Sequence, residues 1–275
     1  MKYTVSVIMT VYEGDNDSHF YEALNSLISN KNFISEVVLV RNGSISLSKI
    51  RSIINAKKHF TFKEICLKEN IGLSKALNIA IENASSEWLA RFDSDDLCIN
   101  NRFEFIQKKI KKYGKKYDVL GTFINEFVEE KKDILMTRKV PLEFENIKSR
   151  LFYMNPMNHV TVFFKKSITD DHKEKSFYPY IDGFEDYGLW VKLISKGYKF
   201  KNFPDVTVLV RVGNNMLKRR GGLKYIFKEI KLRMYMLKFA KGLQIFIIFL
   251  FMIFRITAFL MPISIKRIIY KILRS

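Results

Sequence analysis

The run Arg91-Phe92-Asp93-Ser94-Asp95-Asp96 crowds three carboxylates into four residues, between a predicted strand at Trp88–Phe92 and a predicted helix from Asn101. Like charges this close repel at neutral pH, and burying them is costly unless a cation or hydrogen-bond donors compensate. A hard divalent ion such as Mg²⁺ or Mn²⁺ compensates well. It takes one or two carboxylates and completes its shell with substrate phosphate oxygens. Asp93 and Asp95 are therefore the expected metal ligands, with a phosphorylated ligand beside them. The same run also reads as a solvated turn that caps the following helix.

A second acidic pair, Glu185-Asp186, stands at the start of a predicted helix that carries Leu189, Trp190, Leu193 and Ile194 on one face. Two acidic sites on one sheet suit displacement at the anomeric carbon of a nucleotide-sugar. The diphosphate leaving group needs its developing charge neutralised, which a metal on Asp93 and Asp95 would do. The incoming hydroxyl needs a general base on the opposite face of the sugar, and Asp186 is the candidate, with Glu185 supporting it. A single in-line displacement inverts the anomeric configuration. Helix capping is the plainer account of the same pair.

Further candidates bear on the nucleotide. The Asn42 carboxamide matches the imide edge of uracil, and Gly43 lets backbone approach closely, although Asn-Gly is also an ordinary turn. Asn70-Ile71-Gly72-Leu73-Ser74-Lys75 opens a helix whose amino end would face phosphate, Lys75 adding charge. Arg91 lies beside the acidic cluster. Arg211, Lys218, Arg219 and Arg220 would close over diphosphate or be solvated surface charge, and His159 would line the acceptor groove or be a satisfied loop histidine.

These residues need elements to hold them. Through the first ~130 residues, short β-branched runs alternate with amphipathic stretches, the pattern of an α/β fold with a mainly parallel sheet flanked by helices. Strands are predicted at Tyr3–Tyr12, Glu36–Val40, Phe60–Leu67, Trp88–Phe92 and Asp118–Phe127, and helices at His19–Ser29, Ser48–Lys58, Leu73–Asn83 and Arg102–Tyr113. Later come an apolar strand at Val160–Phe164 and another at Thr207–Val212. Ligands of such sheets sit beyond the carboxyl ends of the strands, which is where the candidate loops fall.

Charge is unevenly distributed along the 275 residues. From Lys218 to Arg274, 14 lysines and arginines stand against the single acid Glu229, so most of the formal +19 lies in the tail. Leu243–Phe254 is apolar apart from Gln244, Arg255 interrupts, and Ile256–Ile265 continues with Pro262 inside. The pattern predicts a catalytic domain over residues 1–222 and a basic amphipathic tail over 223–275 that lies in a membrane interface, its cations meeting anionic headgroups. A tail packed on the domain is the alternative. Met1–Tyr12 reads as a strand rather than a signal peptide, and Cys66 and Cys98 as packed thiols of a reducing cytoplasm.

In order, Val7–Tyr12, Val38–Gly43, Asn70–Asn78, Arg91–Asp96, Asn155–Thr161 and Phe184–Trp190 make the chain resemble a family 2 glycosyltransferase of the GT-A fold, and more narrowly the bacterial O-antigen, amylovoran and capsule enzymes. The resemblance covers residues 3 to about 222. It implies that Thr10, Tyr12 and Glu13 frame the nucleoside, that Asn42 meets the base, and that Asp93, Ser94 and Asp95 carry ribose and metal contacts. Asp186 is implied as base, with His159 and Trp190 on the acceptor side. Asn42 departs from the Asp-Gly-Ser of many relatives.

The implied donor is a nucleotide-sugar, a UDP-sugar first, and the implied acceptor a polyprenyl-diphosphate-linked saccharide at the cytoplasmic face of the bacterial inner membrane, where the protein would be peripheral or monotopic. A sugar nucleotidyltransferase would carry a basic Gly-rich loop where Tyr12–Asp17 is acidic. A phosphatase with an aspartyl nucleophile leaves Glu185-Asp186 unexplained. A nucleic-acid binder fits the net charge but not the Ile and Phe runs interleaved with it, so no nucleic-acid partner is expected; a non-catalytic membrane scaffold is the last alternative.

Overall fold

The computed structural model describes residues 3–99, 101–128, 134–170, 176–213, 222–262 and 265. The alternating pattern folds as its periodicity dictates. β1 (Val5–Val11), β2 (Glu36–Arg41), β3 (Phe62–Cys66) and β4 (Trp88–Arg91) lie parallel in the order β3-β2-β1-β4, connected through α1 (Asp17–Ile28), α2 (Leu47–Ala56) and α3 (Leu73–Asn83). Side chains alternate across this half-sheet. Val37 and Leu39 face a core shared with α1 and α2, whereas Val38 and Val40 face the one that α3 fills.

Beyond β4 the directions mix. β5 (Leu97–Cys98), β6 (Val119–Phe127), β7 (Ile134–Arg138), β8 (Phe163–Lys165) and β9 (Phe200–Arg211) complete a nine-stranded sheet among the described residues. β8 is inserted between β4 and β6 and runs antiparallel to both, while β9 runs parallel to β6. The mainly parallel expectation thus describes the first half of the sheet. The reversal of β8 brings its amino end, residues 155–162, to the edge where β1, β2, β4, β6 and β9 finish, so the second half of the chain is delivered to the same loops.

α4 (Arg102–Tyr113) joins α1 and α2 on one face. The other face is covered by α3, α5 (Phe144–Arg150) and α7 (Glu185–Ser195), with α6 (Ser167–Asp170), α8 (Leu223–Leu237) and α9 (Leu243–Leu260) at its margin. The predicted strand at Val160–Phe164 divides: His159–Thr161 is a 3₁₀ turn and pairing starts at Phe163. β9 starts at Phe200, seven residues before the predicted Thr207. β5, β7, α5 and α6 were not expected.

The tail holds the expected apolar helix, and Arg255 does not break it. α9 continues through Arg255 for 18 residues and ends before Pro262. Ile248 is buried, Phe251 meets Tyr153 at 5.1 Å between ring centres, Arg255 pairs with Glu229 and Phe259 meets Tyr225 at 5.0 Å, so a face at helical spacing is docked from Ile248 to Phe259. Leu243, Phe246, Phe249, Leu250, Ile253 and Leu260 on the other side are exposed. By length and composition α9 is long and apolar enough to cross a membrane. Lys218–Arg220 and the basic end Lys266-Arg267 lie outside the described residues.

Candidate active site

The acidic turn begins where β4 ends. Arg91, 1% exposed, is held there and donates from its guanidinium to the Phe92 carbonyl and to Asp93. Its own carbonyl accepts from Arg102 Nη2 at 3.0 Å, and the same nitrogen reaches the Val160 carbonyl at 2.8 Å. Arg102 is buried among Phe92, Phe103 and Phe163, with its guanidinium 5.0–5.4 Å from the ring centres. An aromatic box accommodates a buried cation whose partners are carbonyls rather than acids. The result ties β4 to the 3₁₀ turn that precedes β8.

Negative charge collects opposite Arg91. Asp95 reaches the open edge of the cleft, and crowding by protein, then the charges of Asp93 and Asp15, push its carboxyl up to about 6. Asp15 is raised as well, first by burial, and its carboxylate accepts from the Tyr12 backbone at 3.0 Å and from Ser94. Asp96 is buried and raised well above the usual range by that burial and by Asp95; its Oδ1 accepts from the Arg211 backbone at 2.9 Å. Among the described residues no three His, Cys, Asp or Glu side chains form a closed metal cage. An open site of one or two carboxylates finished by phosphate is the arrangement Mg²⁺ or Mn²⁺ accepts, and an exposed, electrostatically strained Asp95 beside Asp93 fits it.

The nucleotide-facing loops are pinned by their own side chains. Asn42, 5% exposed, donates through Nδ2 to Asn70 Oδ1 at 2.9 Å, and its Oδ1 accepts from the Ile71 backbone at 2.9 Å; Asn70 Oδ1 also accepts from the Gly72 backbone at 2.9 Å. The expected pairing of Asn42 with a base edge needs both ends of that amide turned outward. Here they tie the β2 loop to the loop before α3, through a donor, Nδ2, that an Asp would lack. Gly43 and Gly72 sit at φ +92° and +86°, and a Cβ on Gly43 would meet the Asn70 nitrogen at 3.0 Å. Thr10 is half-buried, Tyr12 and Glu13 are exposed beside them, and Lys75 at the start of α3 stands 5.9 Å over the Tyr180 ring.

Glu185 and Asp186 open α7. Asn155 Nδ2 donates to Asp186 Oδ2 at 2.8 Å, while burial and the neighbouring Asp186 push Glu185 up to about 7. His159 Nε2 shares a hydrogen with the Tyr178 hydroxyl at 2.7 Å and its ring meets Trp190 edge-on at 5.9 Å. Burial, and then Arg91, hold this imidazole well below its ordinary range, so it is neutral. Asn78 grips the Tyr178 backbone from both sides, at 2.8 and 3.2 Å.

Arg91 unites the two acidic groups. Its charge acts on Asp95 and Asp96 on one side and on Glu185, His159 and Tyr178 on the other, and Tyr178 in turn feels both Asp93 and Asp186. Both acid-bearing segments therefore lie within electrostatic reach of the buried Arg91 guanidinium.

Arg211 takes another role than the diphosphate clamp expected of it. Its Nε donates to the Asp95 carbonyl at 3.2 Å, its Nη2 pairs with Glu22 at 2.7 Å, and its guanidinium lies 4.8 Å over Phe127. It braces the acidic turn from behind. Three contributors escaped the sequence reading: Asp15, Tyr178 and Arg102. Asp15 was legible as one acid of an acidic loop; Tyr178 lies in a stretch without period, and Arg102 stood out only as the first residue of a predicted helix.

The profile of glycosyl transferase family 2 matches residues 6–172. The chain is a family 2 glycosyltransferase. Curated relatives match this glycosyltransferase nearly end to end. It is 31% identical to the amylovoran biosynthesis glycosyltransferase AmsE of Erwinia amylovora, over 97% of each chain. It is 32% identical to the UDP-Gal:α-D-GlcNAc-diphosphoundecaprenol β-1,3-galactosyltransferase of Escherichia coli, over 97% of this chain and 94% of that one. Among solved structures, S. aureus TarS 1–349 in complex with UDP-GlcNAc superposes with a TM-score of 0.66 at 18% identity, covering 89% of this glycosyltransferase and 70% of that chain. The mixed sheet and its flanking helices are those of the GT-A fold.

Proposed function

We propose that this glycosyltransferase is an inverting, metal-dependent enzyme that moves a hexose or N-acetylhexosamine from a UDP-sugar to a saccharide on a polyprenyl diphosphate, in the making of a bacterial surface polysaccharide. The observation that carries the reading is Arg91, buried between an acidic pair suited to diphosphate and metal and another suited to a hydroxyl. Two relatives support the substrates by their names: the galactosyltransferase above, and at 29% identity the UDP-Glc:α-D-GlcNAc-diphosphoundecaprenol β-1,3-glucosyltransferase WfaP of E. coli.

Each group has a task in this reading. Asp95, with the oxygen of Asp93 that Arg91 leaves available, holds the divalent ion; when bound, that ion neutralises the departing diphosphate. Arg91 fixes Asp93 and balances the fixed negative charge. Asp186 takes the proton of the acceptor hydroxyl as its oxygen bonds to the anomeric carbon from the face opposite the diphosphate. The anomeric C–O bond breaks and its electron pair leaves with the nucleotide. His159, neutral and hydrogen-bonded to Tyr178, stiffens the wall between the two groups and carries no proton in the reaction.

The acceptor's lipid fixes where this happens. In this reading α9, held to α8 and Tyr153 through Phe251, Arg255 and Phe259, lies in the interface with its exposed Phe, Leu and Ile face among the acyl chains. The cytoplasmic face of the inner membrane follows from the carrier and from a nucleotide-sugar donor. A donor screen with purified protein, Mn²⁺ and UDP-, GDP- and dTDP-sugars, read by nucleotide release, tests the reading. Release from one UDP-sugar should need an acceptor, and Asp186→Asn should abolish transfer while donor binding persists; full turnover by Asp186→Asn would remove the base from this scheme. Salt-sensitive DNA binding without liposome binding would favour a nucleic-acid role instead.

A further inference from the structure

A carboxylate without access to water sits between the last two helices. Glu229, on α8, is fully buried and takes two guanidinium groups: Arg233 one turn on, at 2.8 Å from Nε to Oε1, and Arg255 from α9, at 3.3 Å from Nη2 to Oε2. Burying Glu229 and Arg233, with Arg255 half-buried beside them, costs desolvation energy that apolar packing of two helices would not require. The cluster gains something else. It orients Arg233, itself buried, so that Nη1 donates to the Phe152 carbonyl at 2.8 Å.

That carbonyl belongs to the segment that holds Asp186. The Leu151 carbonyl accepts from the Tyr187 hydroxyl at 2.7 Å, one residue from the proposed base. Three residues after Phe152, Asn155 donates to Asp186 and accepts from the Met157 backbone at 3.1 Å. Hydrogen bonds run from Arg255 through Glu229 and Arg233 to the Phe152 carbonyl, and three residues of backbone lead from there to Asn155, which holds Asp186. None of Glu229, Arg233 and Arg255 lies within the span of the family match.

We propose that Glu229 is a positioning residue. By orienting Arg233 it fixes the 151–157 segment and thereby Asp186, and by pairing with Arg255 it makes that hold depend on α9, the helix with the exposed apolar face. The inference rests on Asp186 as the base, and the test separates the two. Glu229→Gln, Arg255→Met and Asp186→Asn are made in the full chain and compared for cooperative melting, donor affinity by UDP-sugar titration, and acceptor-dependent kcat.

Glu229→Gln should keep donor affinity within about twofold while kcat falls about 10- to 100-fold, the scale of a misplaced catalytic group. Arg255→Met should shift kcat in the same direction and less. Adding Glu229→Gln to Asp186→Asn should cost nothing further. Undiminished kcat in a folded Glu229→Gln beside an inactive Asp186→Asn overturns the inference alone, as does a fall in donor affinity that matches the fall in kcat. Should Glu229→Gln fail to melt cooperatively, Arg255→Met decides by the same criteria. Full turnover by Asp186→Asn overturns the base, and the positioning role with it.

Discussion

Asn155 offers the sharpest perturbation, because its side chain does two separable things. Its Nδ2 donates to Asp186 Oδ2 at 2.8 Å and its Oδ1 accepts from the Met157 backbone at 3.1 Å. A hydrogen bond to a charged group is worth about 1.5–3 kcal/mol. If that energy holds Asp186 in its attacking geometry, Asn155→Ala lowers kcat roughly 10- to 150-fold, a factor of ten for each ~1.4 kcal/mol. Donor affinity should hold, since neither bond touches the Asp93 and Asp95 side. Asn155→Asp should do worse: it keeps the acceptor for Met157 but sets a second carboxylate against Asp186, where like charges resist ionisation together. The assay is transfer to a lipid-linked or synthetic acceptor at saturating donor, with UDP-sugar titration alongside. The decisive control is a double-mutant cycle, in which Asn155→Ala on an Asp186→Asn background costs nothing if the amide acts through that carboxylate. Additive losses, or a kcat within about twofold of the parent, would refute the reasoning.

Two further outcomes concern pH. Asp95 holds its proton up to about 6, so Mn²⁺-dependent UDP-sugar binding should strengthen as pH rises through that value and vanish in Asp95→Ala; a profile flat from about pH 5 to 7.5 would contradict Asp95 as ligand. Glu185, raised to about 7 from an ordinary 4.5, binds its proton more tightly folded than unfolded, so its contribution to stability is greatest below pH 4.5 and is lost as pH climbs to about 7. Glu185→Gln should therefore raise the melting temperature at pH 8 and leave it nearly unchanged at pH 4, and equal shifts at both would exclude this cause.

Much of the scaffold could be read from periodicity. α3 and α4 begin and end at the predicted residues because their apolar positions recur at helical spacing and a positive-φ glycine, Gly72, precedes α3. The apolar run Val37–Val40 of β2 is buried on both faces, which is why it carries no polar alternation. β7 was missed because it is a short strand paired only with β6, its residues half-buried or exposed, and no apolar face sets its period. The acidic runs were legible as chemistry, since so many carboxylates need an explanation wherever they fold.

Partnership was the part that residue type could not convey. The sequence assigned Arg211 to a diphosphate, Arg102 to no task and Arg255 to a break in the apolar tail. In the structure one braces a turn through a backbone carbonyl and Glu22, one sits in an aromatic box, and one neutralises an acid 26 residues away on another helix. Asn42 was matched to a base by its functional groups, and the fold instead uses those groups to join two loops. A side chain's chemistry limits what it can bind, and tertiary placement alone decides which of those bonds forms.

The same distinction assigns roles within Glu185-Asp186. Adjacent carboxylates at a helix start compete for one proton, and the environment decides which keeps it. Asp186 receives a hydrogen bond from Asn155, which favours the ionised form. Glu185 is raised to about 7 by burial and by the charge of Asp186 beside it. Near neutrality Glu185 is therefore partly protonated, which lessens its repulsion of Asp186 and of the acceptor hydroxyl's lone pairs. A supporting role for Glu185 then means that burial keeps it largely uncharged while Asn155 holds Asp186 in place.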